Sequence, residues 1–158
     1  MRVEYINPFV EATFSILNEV VGTEVKRGEI YLKPTTMAIQ GVAALVGLAG
    51  DVEGRVLFDM TKDTALYVAG AMNQDTFVAL DDLAKATIQE LANMVTAQAV
   101  TKLHELGFKF DLTPPALFTG DNMEVATNLG EVEALIVPMM FGPGKKIEVN
   151  VAIRERIK

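Results

Sequence analysis

A chain of 158 residues has the length of one compact domain, able to bury about 70% of its unfolded surface without a disulfide or metal staple. Half of the residues are hydrophobic, which excludes disorder, and the absence of cysteine excludes disulfide frameworks, thiolate catalysis and Cys-ligated zinc. With 14 Lys and Arg against 21 Asp and Glu the formal net charge is −7, and the densest basic stretch, Arg154 to Lys158, still contains Glu155, so no nucleic-acid partner is expected.

The N-terminus, Met1-Arg2-Val3-Glu4-Tyr5, has no apolar leader, so no secretory signal is visible. Asn7-Pro8 reads as a helix start, a capping side chain followed by a pre-set φ. Phe9, Thr13, Ile16, Leu17 and Val20 then recur at helical spacing, and Gly22 falls where a left-handed C-terminal residue belongs. Glu24 to Lys33, Ala38 to Leu48 and Val52 to Met60 read as three strands, the second buried on both faces. The most apolar stretch, Met37 to Gly50, is too short to span a bilayer and is expected in the core.

Thr61 caps a predicted helix over Lys62 to Met72, Asn73 to Asp75 form a loop, and a long helix follows from Leu80 to Leu106, closed by Gly107. Thr113-Pro114-Pro115 forces extended chain, because each proline disfavours helix at the residue before it. Two strands close the sequence, Val132 to Met140 and Ile147 to Ile153, joined by a hairpin at Phe141-Gly142-Pro143-Gly144. Pro138 suits an edge strand or a bulge. Ile147, Val149, Val151 and Ile153 face one way, and Glu148, Asn150 and Ala152 the other. These elements predict one mixed α+β domain over 1–158, cytoplasmic and without membrane insertion.

Most familiar chemistries find no support. His104 is the only histidine, which excludes multi-histidine metal sites; near a helix end it suits the last carbonyls. No glycine-rich nucleotide loop is present. Asp81-Asp82 suits the positive end of a helix better than a cation site. The eight methionines read as core more readily than as an interaction surface.

The long helix carries the informative pattern. Ala84, Ile88, Leu91, Ala92, Val95, Ala99, Leu103 and Leu106 form one apolar stripe, expected to lie on the sheet. Glu90 and Asn93 neighbour one another on the opposite side, sharing their face with Ala86, Ala97 and Thr101. A face built for solubility alone carries more Lys and Glu. An acid and a carboxamide among small residues stay accessible to a second protein, and together they can hold a water molecule. Spacing by itself is a weak signal, because Glu4 and Asn7 repeat it.

Four stretches, in order over most of the chain, resemble the CheC/CheX-type phosphatases of bacterial chemotaxis, and the CheX branch most closely. They are Asn7 to Gly22, Gly47-Leu48-Ala49-Gly50-Asp51-Val52-Glu53-Gly54-Arg55-Val56, Leu80-Asp81-Asp82-Leu83 running into Ile88-Gln89-Glu90-Leu91-Ala92-Asn93-Met94, and Asp111-Leu112-Thr113-Pro114-Pro115 continuing to Thr119-Gly120. The family motif is Asp or Ser, three residues, Glu, two residues, Asn, then a nearby Gly. Glu90 and Asn93 match it, whereas Ala86 replaces the first polar residue and Ala97 the glycine.

The resemblance implies a largely antiparallel sheet packed against the motif helix and two shorter helices. It implies dephosphorylation of the aspartyl phosphate on a CheY-like response regulator. Asn93 would orient the attacking water and Glu90 would engage the regulator's active-site lysine, with Ala86, Ala97 and Thr101 lining the docking face. The chain would need no cofactor of its own, with Mg²⁺ carried by the regulator, and would form a homodimer through its sheet. Two alternatives stay open: a module that binds a phosphorylated receiver domain without hydrolysing its phosphate, and a motor-associated interaction protein.

Overall fold

The structure, a computed structural model, describes residues 3–33, 37–125 and 133–156. Along the chain run α1 (Val3–Val21), β1 (Val25–Arg27), β2 (Tyr31–Lys33), β3 (Met37–Ala38), β4 (Val42–Gly50), β5 (Val52–Met60) and α2 (Lys62–Asn73). They are followed by α3 (Asp82–Glu105), β6 (Phe110–Leu112), β7 (Ala116–Thr119), β8 (Glu124–Val125), β9 (Ala134–Phe141) and β10 (Lys145–Glu155). The main sheet is antiparallel in the order β1-β9-β10-β5-β4-β6, with β2 also on β9 and β7 also on β4. β3 and β8 form a separate pair. This is the expected α+β arrangement, one long helix and two shorter ones against a largely antiparallel sheet.

The centre of the sheet is the pairing of β5 with β10, continuous from Val52↔Glu155 to Met60↔Ile147. Period-2 alternation sends Val52, Val56, Phe58 and Met60 of β5 and Ile147, Val149, Val151 and Ile153 of β10 to the same face. There they meet Phe9, Ile16 and Leu17 of α1, Ala65 and Val68 of α2, and Ile88, Leu91 and Val95 of α3. Each large aliphatic or aromatic side chain so buried contributes about 1.5–3 kcal/mol. Gly54 has φ +143, and a Cβ there would lie 1.9 Å from the Ala152 carbonyl oxygen, so only glycine lets β5 and β10 approach at this point.

Several boundaries differ from the sequence-based expectation, each for a physical reason. Asn7-Pro8 does not start α1. The helix begins at Val3 and holds Pro8 inside, because Tyr5 and Ile6 are buried and continue its apolar face. Tyr5 packs edge-on against Phe108 with ring centroids 5.0 Å apart, and its hydroxyl donates to the Glu155 carboxylate. Asn7 is therefore an exposed helical residue, not a cap.

The strand expected over Glu24 to Lys33 is broken into β1 and β2, both paired to β9. The break explains Pro138. Its strand is internal rather than an edge, but Pro138 lies opposite the break, where its carbonyl accepts from the Gly28 amide at 2.8 Å and its missing N–H leaves no partner strand unsatisfied. Ala38 to Leu48 is interrupted at Gly41, which has φ +140, so the buried strand starts at Val42. β9 begins at Ala134; Val132, the expected start, lies outside the described residues. The extended chain around Pro114 is flanked by two short strands, β6 and β7, both paired to β4. Among the described residues no helix is long and apolar enough to cross a membrane.

Candidate functional site

α3 is set by its two ends and its buried side. Asp81 is the N-cap, its carboxylate accepting from the Ala84 amide at 2.8 Å, so Leu80 and Asp81 precede the helix rather than belong to it. At the other end the Gly107 amide donates to the His104 carbonyl at 3.0 Å, with Gly107 at φ +95. His104 itself rests on Phe110, ring centroids 5.3 Å apart.

Ala84, Ile88, Leu91, Ala92, Val95, Ala99 and Leu103 are buried as expected, whereas Leu106, beyond the helix end, is 50% exposed. The stripe lies in the core shared with the sheet, as expected, and packs beside α1 and α2 as well. Two polar residues extend it. Thr87 and Thr96 are buried with their hydroxyls donated to the Leu83 carbonyl at 2.8 Å and the Ala92 carbonyl at 2.7 Å, which satisfies the groups inside the helix itself.

On the outward side, Ala86, Glu90, Asn93, Ala97 and Thr101 are all exposed. At 100° per residue they fall within a sector of about 80°. The Thr101 hydroxyl folds back on the Ala97 carbonyl at 3.0 Å. Among the described residues neither the Glu90 carboxylate nor the Asn93 carboxamide is taken by a hydrogen bond or ion pair. Both are open to a ligand, one as an acceptor and the other as donor and acceptor.

The face is convex. Surface cavities of about 510, 430 and 340 Å³ lie at the α3 C-terminus beside Phe110, between α2 and the hairpin after β9, and between the starts of α2 and α3. None of these is lined by Glu90 or Asn93. A helix ridge of this kind matches the surface of another macromolecule better than it encloses a small substrate. No group of three or more His, Asp or Glu side chains suited to a metal ion occurs among the described residues.

The far face of the sheet holds a second polar constellation that the sequence showed only as alternation. Asp59 and Glu148 are cross-strand partners on β5 and β10, 1% and 4% exposed. Gln40 bridges them, its Nε2 donating to Asp59 Oδ2 at 3.3 Å and to Glu148 Oε1 at 2.9 Å, while its backbone amide donates to Asp59 Oδ1 at 2.9 Å. The Tyr31 hydroxyl donates to Glu148 as well. Burial pushes both carboxyls above their ordinary range; for Asp59 the Gln40 hydrogen bonds and the charges of Lys33 and Lys146 pull the other way. Arg55 donates through Nη1 to Asn150 Oδ1 at 2.8 Å, and burial lowers its pKa.

Residues 42–140, which contain the whole of α3, match the family model described as chemotaxis phosphatase CheX. The chain belongs to the CheX family. It is 29% identical over 130 residues to the CheY-P phosphatase CheX of Thermotoga maritima, covering 79% of this chain and 81% of that one. Among solved structures it is similar to the CheX–CheY–BeF3–Mg²⁺ complex from Borrelia burgdorferi, at 42% identity and TM-score 0.83 over 98% of this chain and all of the matched one. The chemotaxis protein CheX of Desulfovibrio desulfuricans aligns at 26% identity and TM-score 0.81, over 95% and 99% of the two chains. The sheet and three helices described above are thus the CheX fold, and CheX proteins are chemotaxis phosphatases.

Proposed function

We propose that this chain dephosphorylates the aspartyl phosphate of a CheY-like response regulator, with Glu90 and Asn93 as its two working residues. The observation that carries the reading is their placement: an unpaired acid and an unpaired carboxamide, one helical turn apart, on an exposed helix face of small residues in a CheX-family chain.

The chemistry needs only what these groups offer. Asn93 hydrogen-bonds a water and holds its oxygen in line with the phosphorus of the acyl phosphate. A P–O bond forms to that oxygen as the P–O bond to the aspartyl carboxylate breaks. The regulator's carboxylate is released, and the water's proton leaves with inorganic phosphate or to solvent. Glu90 pairs with the regulator's active-site lysine and fixes the docking angle. Mg²⁺, held by the regulator, offsets charge on the phosphoryl oxygens. Positioning and charge stabilisation dominate phosphoryl transfer, so no covalent intermediate on this chain is required. Ala86, Ala97 and Thr101 provide low relief against which the partner packs. We further read the chain as one cytoplasmic domain that pairs into a homodimer through a sheet edge.

The alanines at 86 and 97 favour one second reading, a module that docks a phosphorylated receiver without hydrolysis. Decay of a phosphorylated CheY-type regulator in Mg²⁺ separates the two. The phosphatase reading expects faster decay with the protein present, and losses of about 10²-fold or more in turnover for Glu90→Ala and Asn93→Ala without loss of fold. Binding with unchanged decay would replace it with the docking module.

A further inference from the structure

Gln89 stands one turn before Asn93, about 40° from it around the helix and on the flank facing β7. Its side chain does not point to solvent as that of a surface glutamine does. Its Nε2 donates to the Pro115 carbonyl at 3.1 Å. Pro115 ends a segment, Thr113-Pro114-Pro115, that crosses from β6 to β7 at the edge of the sheet. The other end of that segment is pinned to β4 by two bonds: the Thr113 amide donates to the Gly47 carbonyl at 3.0 Å, and the Gly47 amide donates to Thr113 Oγ1 at 2.8 Å. Two consecutive prolines fix φ between the pins and offer no N–H that would require a partner. The result is a stiff strap, with Pro114 exposed, held at a set distance from the face that carries Asn93.

We propose that Gln89 is a positioning residue and that the Thr113–Pro115 strap is a wall of the docking face, against which the phosphorylated receiver domain seats. The inference rests on the phosphatase reading and extends its footprint from the helix ridge to the strap. A ridge alone lets a partner roll about the helix axis. A fixed wall on the Asn93 flank removes that freedom and holds the receiver in its docked seat.

The test pairs Gln89→Leu, which keeps the bulk and removes the donor, with Pro114→Gly, which loosens the exposed part of the strap and leaves Gln89 intact. Steady-state dephosphorylation of a CheY-type regulator, and binding of its Mg²⁺–BeF3-loaded form, are measured beside wild type and Asn93→Ala. Both new variants are expected to raise KM and the dissociation constant about fivefold, as loss of a seating contact would, with kcat within a factor of about two. Asn93→Ala loses kcat instead. Faster amide exchange at Thr113 and Ala116 in Gln89→Leu reports release of the strap.

Unchanged KM and binding in both variants would overturn the wall while leaving the phosphatase reading standing. A wild-type protein that neither binds nor dephosphorylates the regulator would overturn that reading and the wall with it. Should Gln89→Leu unfold, Pro114→Gly decides alone.

Discussion

Asp59 and Glu148 face each other across β5 and β10 with little water to screen them, and each carboxyl is held above its ordinary value by burial. The sign of the consequence is fixed. Carboxyls raised above their unfolded values, about 3.9 for Asp and 4.3 for Glu, keep protons that the unfolded chain has released. Their contribution to stability is complete below the unfolded values and is lost as pH rises through the native ones. Glu148→Gln removes one titrating group and keeps an acceptor for Gln40, so its unfolding free energy is expected to decline less between about pH 4 and pH 8 than that of wild type. Denaturant titrations across that range check it, and parallel profiles would show that the pair does not titrate there. The same scale governs the site: the proposed pair, Glu90 and Asn93, was legible through the CheX motif it matches and not through its spacing, which Glu4 and Asn7 repeat. Gln89 was not, because the partner of its amide lies 26 residues away in a loop whose path no local pattern reveals.

Elements follow local chemistry where the chain has no stronger claim on it. α2 begins at Thr61, whose Oγ1 accepts from the Thr64 amide at 3.2 Å, and β5 spans Val52–Met60 as its pattern predicts. The hairpin after β9 turns at Gly142 and Gly144, both at positive φ. Local signals fail where burial overrides them. Pro8 looks like a helix start until Tyr5 and Ile6 are seen to bury, and α1 tolerates an interior proline to keep them there. Short strands such as β6 and β7 carry no readable alternation, and exist because β4 offers them a partner edge. At Gly54 the claim is steric. Gly54→Ala would press a methyl group into the Ala152 carbonyl, and is expected to cost more than about 3 kcal/mol in a thermal or denaturant unfolding measurement. A loss below about 1 kcal/mol would mean that β5 and β10 separate there with ease.

Across the whole molecule, the helices cover one face of the sheet, and the sheet ends in β1 and β2 on one side and β6 and β7 on the other. On β2 and the residue before it, Ile30 and Leu32 are 59% and 57% exposed. A strand edge flanked by apolar side chains is a ready template for a second strand, which supports the proposed homodimer. Light scattering is expected to give twice the chain mass for wild type and a shift towards monomer for Leu32→Lys; a wild-type monomer at all concentrations would remove the dimer from the reading. The ridge that carries Glu90 and Asn93 has a different consequence. Because neither residue lines any of the cavities described, the pair offers free nucleotides and sugar phosphates nothing to settle in, however abundant they are. Under the proposed function the reactive chamber exists only while the regulator is seated, so half of it arrives with each substrate. Selectivity then needs no gate, because an incomplete site has nothing to leak.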